Sequence, residues 1–369
     1  MRSSPLSGRA CAAILVSLAS LFPPAARACC PAWRAGAMVR IADQRILVAW
    51  DPATGIEHFV REARFSGGAA KADDFGFLVP SPTVPEIAEA DGGVFDALAE
   101  TSRPKIVEVT TLRTHWSLLG ALFLSSRVTP ASRTTDMAPM APRAAVEVVK
   151  TARVAGYEAA VLRADDPELL GKWLADNGYQ SRPELVEWSR PYVDAGWMIT
   201  AFKYVGSAER VDVAAVRMSF VTEAPLFPYR VPTDQITPEG RGHMLRAFVV
   251  GPGRAAGTLG TGDAARPWSR ARVAYSRPLS ADGGSAAILA GALPAGAAAA
   301  HDDAWLTTFE DDSWPSGTDD LTFAFDAAAK PYRQVVEKPV TRDVLVPLDV
   351  FAVAAAGLAL VSFGRRARG

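Results

Sequence analysis

Apolar and polar positions alternate along this chain in short runs, and the runs predict strands more often than helices. Residues 45–50 (RILVAW) are apolar and β-prone, residues 51–55 (DPATG) are a turn signal, and residues 56–65 resume the alternation up to Gly67-Gly68. Residues 75–79 (FGFLV) put Phe75, Phe77 and Val79 on one face and Gly76, Leu78 and Pro80 on the other. Both faces are apolar or small, which is how a strand buried on both sides reads. Pro80, Pro82 and Pro85 supply no ladder donors, so they end that strand. Further strands are predicted over 105–112, 144–150, 157–163, 197–205, 211–221, 245–250, 270–275, 321–325 and 334–340.

Three short helices are predicted, over 93–100, 167–177 and 183–193. The second is the clearest: Pro167 opens it, Leu169, Leu170, Trp173 and Leu174 share a face, and Gly178 stops it. Residues 125–142 are polar and proline-containing, and residues 286–300 are alanine-rich and broken by Gly and Pro, so both read as loose loops. No 20–50-residue period repeats, which excludes solenoids and propellers. The predicted fold is α+β, mostly antiparallel sheet with a few short helices. It divides into an N-terminal β-rich lobe over 29–124, a loop or linker over 125–143, and a C-terminal α+β lobe over 144–343.

The two ends follow other rules. Arg2 and Arg9, the apolar run 10–22, Pro23-Pro24 and Ala26-Arg27-Ala28 have the three-part layout of a secretory signal, so 1–28 are predicted to be a signal peptide cleaved before Cys29. The run is shorter than the ~20 residues a membrane span needs. A lipid-modified Cys29 is a variant of this reading, but Arg27 stands where a lipoprotein site has a small residue. At the other end, 344–364 carry one ionisable residue, Asp349, and precede Arg365, Arg366 and Arg368. That pattern predicts one C-terminal transmembrane helix over 344–364, with 365–369 as a cytoplasmic basic tail. A buried core helix and a cleavable sorting tail are the alternatives.

Composition fits an exported globular domain. With 49% hydrophobic and 21% charged residues the chain can bury a core and is no disordered stalk. The formal net charge of −1 understates the acidity of the middle, because six of the arginines named above, Arg27 included, lie in the end segments against one acid, Asp349. A net acidic domain without a Lys/Arg block excludes nucleic acid as the partner. Beyond Cys11 in the signal, only the adjacent Cys29 and Cys30 remain, which can neither staple a fold nor hold zinc.

Candidate chemistry is sparse. Gly251-Pro252-Gly253 with Ala256 follows a strand and formally matches a dinucleotide fingerprint, but Pro252 removes a donor and the glycines of 257–262 cannot open a helix. Asp165-Asp166 precedes a helix and reads as capping. The acidic stretch 310–320 offers calcium ligands or, more simply, a solvated loop. His58, His115, His243 and His301 share no zinc-helix spacing, and no Gly-x-Ser-x-Gly elbow occurs. A triad of distant residues stays open, since triads are recognised by geometry. Trp173, Trp188, Trp197 and Phe202 are expected in the core, whereas Trp33 and Trp314 lie in irregular segments where exposure is possible.

Residues 73–87 (DDFGFLVPSPTVPEI), followed by 94–98 (VFDAL) and Pro104, resemble the signature of a bacterial family catalogued as domain of unknown function 2330. So do the N-terminal cysteines followed by 43–51 (DQRILVAWD), and the later segments 173–179, 192–203 and 306–311. The resemblance spans most of 29–340. Cys29-Cys30 departs from the longer cysteine cluster expected there. The resemblance implies export and frequent membrane anchoring, and no known reaction. The reading is an exported, membrane-anchored envelope protein of unknown activity. It is a non-catalytic binding or scaffold domain whose partners are the membrane, through the C-terminal helix, and an envelope protein or glycan. No catalytic, cofactor or metal residue is assigned. The alternative is an extracytoplasmic hydrolase with a site assembled from distant residues. N-terminal sequencing of the protein from its host should begin at Cys29, and retention of Met1 would refute the signal.

Overall fold

The structure, a computed structural model, describes residues 39–67, 76–117, 147–179, 181–205, 215–236, 243–281, 286–298, 301, 303–315 and 317–347. The signal, Cys29, Cys30, Trp33, the linker 125–143 and residues 348–369 lie outside the described residues. In chain order the elements are β1 (Val39–Asp51), β2 (Ile56–Gly67), β3 (Gly76–Ser81), β4 (Glu86–Ala90), α1 (Gly93–Thr101), β5 (Lys105–Ser117), β6 (Glu147–Val154), β7 (Tyr157–Arg163), α2 (Pro167–Asp176), α3 (Pro183–Asp194), β8 (Met198–Tyr204) and β9 (Ala215–Val221). They continue with β10 (Leu226–Phe227), β11 (His243–Gly251), β12 (Arg254–Leu259), β13 (Arg266–Pro267), β14 (Arg272–Pro278), β15 (Trp305–Trp314), β16 (Leu321–Asp326), β17 (Tyr332–Arg333) and β18 (Val335–Pro347).

An eight-stranded sheet, ordered β17-β14-β15-β11-β1-β2-β9-β4, is the frame. Its strands come from both sides of residues 125–143. Strand β1 turns back into β2 over a tight loop in which the Asp51 carboxylate accepts hydrogen bonds from the Ala53 amide (2.9 Å) and the Thr54 hydroxyl (2.8 Å). Gly55 completes that loop at φ +66°, a left-handed conformation that glycine adopts without penalty. On its other side β1 pairs in parallel with β11, from Asp43–Met244 to Ala49–Val250. Ile46, Leu47, Val48 and Ala49 are all fully buried, so the centre of β1 has no solvent face.

Each face of the sheet has its own cover. Ile46, Val48, Phe59, Met218, Leu245 and Phe309 face two four-stranded sheets, β3-β8-β7-β6 and β10-β16-β12-β13, which contribute Phe77, Tyr157, Phe202, Phe227 and Phe323 to one core. Leu47, Ala49, Val60, Phe248 and Leu306 face α1 and the residues from 286 to 298. The alanine-rich stretch expected to be a loose loop is therefore packed: Leu289 and Ala292 are fully buried against this face. Small side chains let this segment, a 3-10 turn over Ala286–Leu289 followed by further turns, lie close to the sheet. The outer face of β3-β8-β7-β6 carries α2 and α3, joined through Leu78, Leu162, Leu170, Leu174, Leu185 and Ile199. Burying a side chain of this kind contributes roughly 1.5–3 kcal/mol.

The helices begin and end as their sequences dictate. Asp166 caps α2 by accepting from the Glu168 amide at 2.7 Å, and Pro167 occupies the first turn, where no donor is needed. Gly178 then takes φ +84° and lets the Tyr179 amide donate to the Leu174 carbonyl at 2.9 Å.

The transmembrane helix expected over 344–364 is corrected. Residues 344–347 are the end of β18, paired in register with β5 up to Pro347–Ser117, and no helix of the described residues is long and apolar enough to cross a membrane. The reason is a distant partner: Val344 and Val346, β-branched and suited to a pleated strand, pair with Thr114 and Trp116 of β5, which hydropathy does not register. The remaining residues of the expected segment lie outside the described ones. Trp314, for which exposure was open, is 1% exposed and belongs to the main core.

Phe77 lies at the centre of that core. Its ring stacks on Phe202 at 4.6 Å, meets Tyr157 edge-on at 5.3 Å, and carries the Arg61 guanidinium 4.3 Å above it. The Arg61 nitrogens are buried without a hydrogen-bond partner, so the ring face is their compensation. Ser81 is also buried, but only its hydroxyl, donating to the Thr83 carbonyl at 2.9 Å, is at stake. Phe77→Ala should cost about 3–5 kcal/mol and Ser81→Ala about 1 or less, read from denaturant midpoints. Equal losses would overturn the central role of the ring.

Candidate functional site

Three places gather functional groups, and their geometry decides between chemistry and binding. The first lies on the face covered by the 286–298 segment. His58 on β2 stands opposite Ser219 on β9, and Glu86 on β4 stands opposite Ser219 on the other side. This row exists because three strands distant in sequence pair in register. His58 Nδ1 lies 2.9 Å from Ser219 Oγ. Arg217 reaches Glu86 at 3.4 Å and the Ala292 carbonyl at 3.5 Å. His301 is buried, with Nδ1 2.8 Å from the Ala297 carbonyl. A carbonyl only accepts, so Nδ1 is the donor of that bond, and the buried Nε2 has no hydrogen-bond partner.

A serine beside a histidine, with carboxylates near, is the outline of a nucleophilic site. Two requirements fail. Burial, and then the positive charges of Arg217 and His301, push His58 down to about 4, too weak a base to match proton transfer near neutral pH. Asp51 is engaged by Thr54 and Ala53, whose hydrogen bonds hold its carboxyl below the ordinary range, and among the described residues no carboxylate hydrogen-bonds to the His58 ring. Burial and the neighbouring cations thus work against His58 activating Ser219. Of the other histidines, His243 starts β11 opposite Trp314, away from this row, and His115 lies in β5 opposite Leu345.

The second place is the acidic stretch 310–320, expected as a solvated loop or calcium site. Residues 310–314 are the end of β15, and the carboxylates of Glu310, Asp311, Asp319 and Asp320 are engaged. Asp311 is fully buried and accepts from the Tyr229 hydroxyl (2.7 Å), Trp268 Nε1 (3.2 Å) and Ser313. Asp320 accepts from the Tyr192 hydroxyl (2.8 Å) and the Arg230 amide (3.0 Å), though burial still raises its pKa. Burial also pushes Glu310 up, but bidentate bonds from Arg272 and Arg246 outweigh it and hold the carboxyl low. Among the described residues no group of three His, Cys, Asp or Glu is placed to hold a metal. Glu310 lines a cleft of about 510 Å³ with Asp96, Glu100, Arg103, Arg246 and Thr308. Its charges are paired internally, Arg45 joining Asp96 to Glu62 at 2.6 Å each. The Gly251-Pro252-Gly253 motif is a tight turn between β11 and β12. A Cβ at Gly253 would come within 2.5 Å of the Asp326 backbone, so close packing explains this glycine.

The third place is a ribbon. β5 and β18 pair in parallel over their whole length, Lys105 with Val335 through Ser117 with Pro347. Among the described residues no third strand joins them. Ile106 is 66% exposed, Val335 54%, Val109 42%, Val336 42% and Val107 39%. Parallel pairs are ordinarily covered on both faces, and a two-stranded sheet is marginal in water. Neither the ribbon nor the His58 row was legible in the sequence, because alternation shows which way a residue points and not which strand lies beside it.

These features define a β-rich layered domain with, among the described residues, an uncovered strand pair. Residues 23–313 match the family described as an uncharacterized protein conserved in bacteria (DUF2330), and the chain belongs to that family. No curated protein and no solved structure matches the chain.

His58 generates a test in acid. Its folded value near 4 lies below the ordinary 6.5, so between these values the unfolded chain binds the extra proton. Stability should fall as pH drops through that window, by on the order of 3 kcal/mol at its lower end. His58→Gln should flatten this part of the acid limb in denaturation midpoints, and an unchanged limb would refute the assignment.

Proposed function

We propose that this protein is an exported, non-catalytic binding or scaffold protein of the bacterial envelope. The uncovered β5–β18 ribbon carries the reading. It exposes β-branched apolar residues on a regular backbone edge, which is the surface that strand addition uses. Export is supported by the N-terminal arginines, apolar run and Ala26-Arg27-Ala28. A domain outside the cytoplasm meets other polypeptides without cytosolic chaperones, so a long open edge there needs a resident partner strand. The rival reading, an extracytoplasmic hydrolase, has the Ser219–His58 contact in its favour and the weak basicity of His58 against it.

A photo-crosslinking residue placed at Thr110, in the exposed centre of β5, should yield a polypeptide adduct in the native host. The same residue at Leu169, 50% exposed on α2, should not. Absence of any adduct at Thr110 would end the binding reading.

A further inference from the structure

We propose that the ribbon is a homodimer interface, in which β5 of one chain pairs antiparallel with β5 of a second copy. This rests on reading the ribbon as the binding element and names what it binds. The two edges of the ribbon differ. The Lys105 amide donates to the Gln334 carbonyl at 2.8 Å, so Lys105 points into the ribbon, and alternation turns the amides of Ile106, Glu108, Thr110, Leu112, Thr114 and Trp116 outward. No proline interrupts that outer row. In β18 the same register turns Val335, Glu337, Pro339 and Pro347 outward. Its edge therefore lacks donors at both prolines and is blunted as free edges are.

Self-pairing satisfies the open edge and then stops. Outward residues must face outward residues, which limits antiparallel registers to those where the two residue numbers sum to an even value. Centred on Thr111, the midpoint of β5, the pairing overlaps the whole strand. Lys105 falls opposite Ser117, Glu108 opposite Thr114 and Arg113 opposite Val109, so no like charges meet. Centring on Glu108 would set that acid against itself, and centring on Val109 would set Lys105 against Arg113. The full overlap makes about twelve interchain backbone hydrogen bonds, at the level of an ordinary specific interface. The product is a four-stranded sheet, β18-β5-β5-β18, whose outer edges are both the proline-bearing ones. A two-fold pairing of this kind closes and cannot grow into a filament. A foreign strand would satisfy the same donors, but nothing on β5 selects one: its centre, 109–112, is uncharged.

The test uses the full chain purified from its host. Sedimentation at micromolar concentration should give twice the monomer mass. Thr110→Pro removes an outward donor and no bond within the ribbon, so it should give monomer with an unchanged melting temperature. Glu337→Pro, on the already blunted edge, should leave the dimer intact. Should Thr110→Pro fail to fold, a second variant reads the register directly. Thr111→Cys lies opposite itself across the two-fold and should form an oxidised dimer above the background of the parent chain, whereas Val107→Cys should not. A dimer lost with Glu337→Pro but kept with Thr110→Pro would overturn the proposal, as would equal cross-linking of both cysteine variants. A monomeric parent whose Thr110 photo-adduct in cells is another protein would overturn the second copy and leave the binding reading standing. A monomer with no adduct would sink both.

Discussion

The pairing of β1 with both β2 and β11 is the constraint from which the rest follows. It fixes four consecutive residues, Ile46 to Ala49, with no access to water on either face. A sheet so placed needs two covers. One is supplied by two smaller sheets, and the other by α1 and an alanine-rich segment. The same burial sets the electrostatics. Glu57, on β2, is fully buried and accepts only from the Leu226 amide, so its carboxyl is raised well above the ordinary range. His58, its neighbour facing the other cover, is pushed the opposite way. Both shifts share their largest cause, loss of water around the charged form.

The parts of the fold set by local chemistry were readable in the sequence. The three helices lie where their prolines and glycines place them, and the strand around Phe77 is buried on both faces as its pattern required. Patterns whose outcome depends on distant segments were not readable. Valine-rich 344–347 looked like the start of a membrane helix because hydropathy cannot register a partner strand more than two hundred residues away, and β5 is that partner. The alanine-rich stretch looked loose because alanine carries little hydrophobic signal, yet small residues are what the crowded sheet face accepts. Acidic 310–320 looked solvated because the arginines, tyrosines and tryptophan that engage its carboxylates come from distant parts of the chain.

Candidate chemistry follows the same division. Each histidine was visible singly, but the approach of Ser219 to His58 depends on the β2–β9 register. A base in a buried, cation-flanked position loses the basicity that would make its serine a nucleophile. Among the described residues, the backbone along β5 is where bonding capacity is left unspent, which shifts attention from side-chain chemistry to association.

The ribbon also bears on how the chain assembles. β5 is made early and β18 closes the described chain, so β5 has neither edge paired while almost everything between them is synthesised and folded. Closing so long a loop carries an entropy cost that only the final strand can repay, and pairings of this kind form slowly. The central sheet, whose last member is β17, can be complete before the ribbon exists. The ribbon can therefore form only once β18 has been made. A chain cut short before Val335 would retain its layered core while leaving β5 as a lone strand, ready to pair with whatever strand it met first.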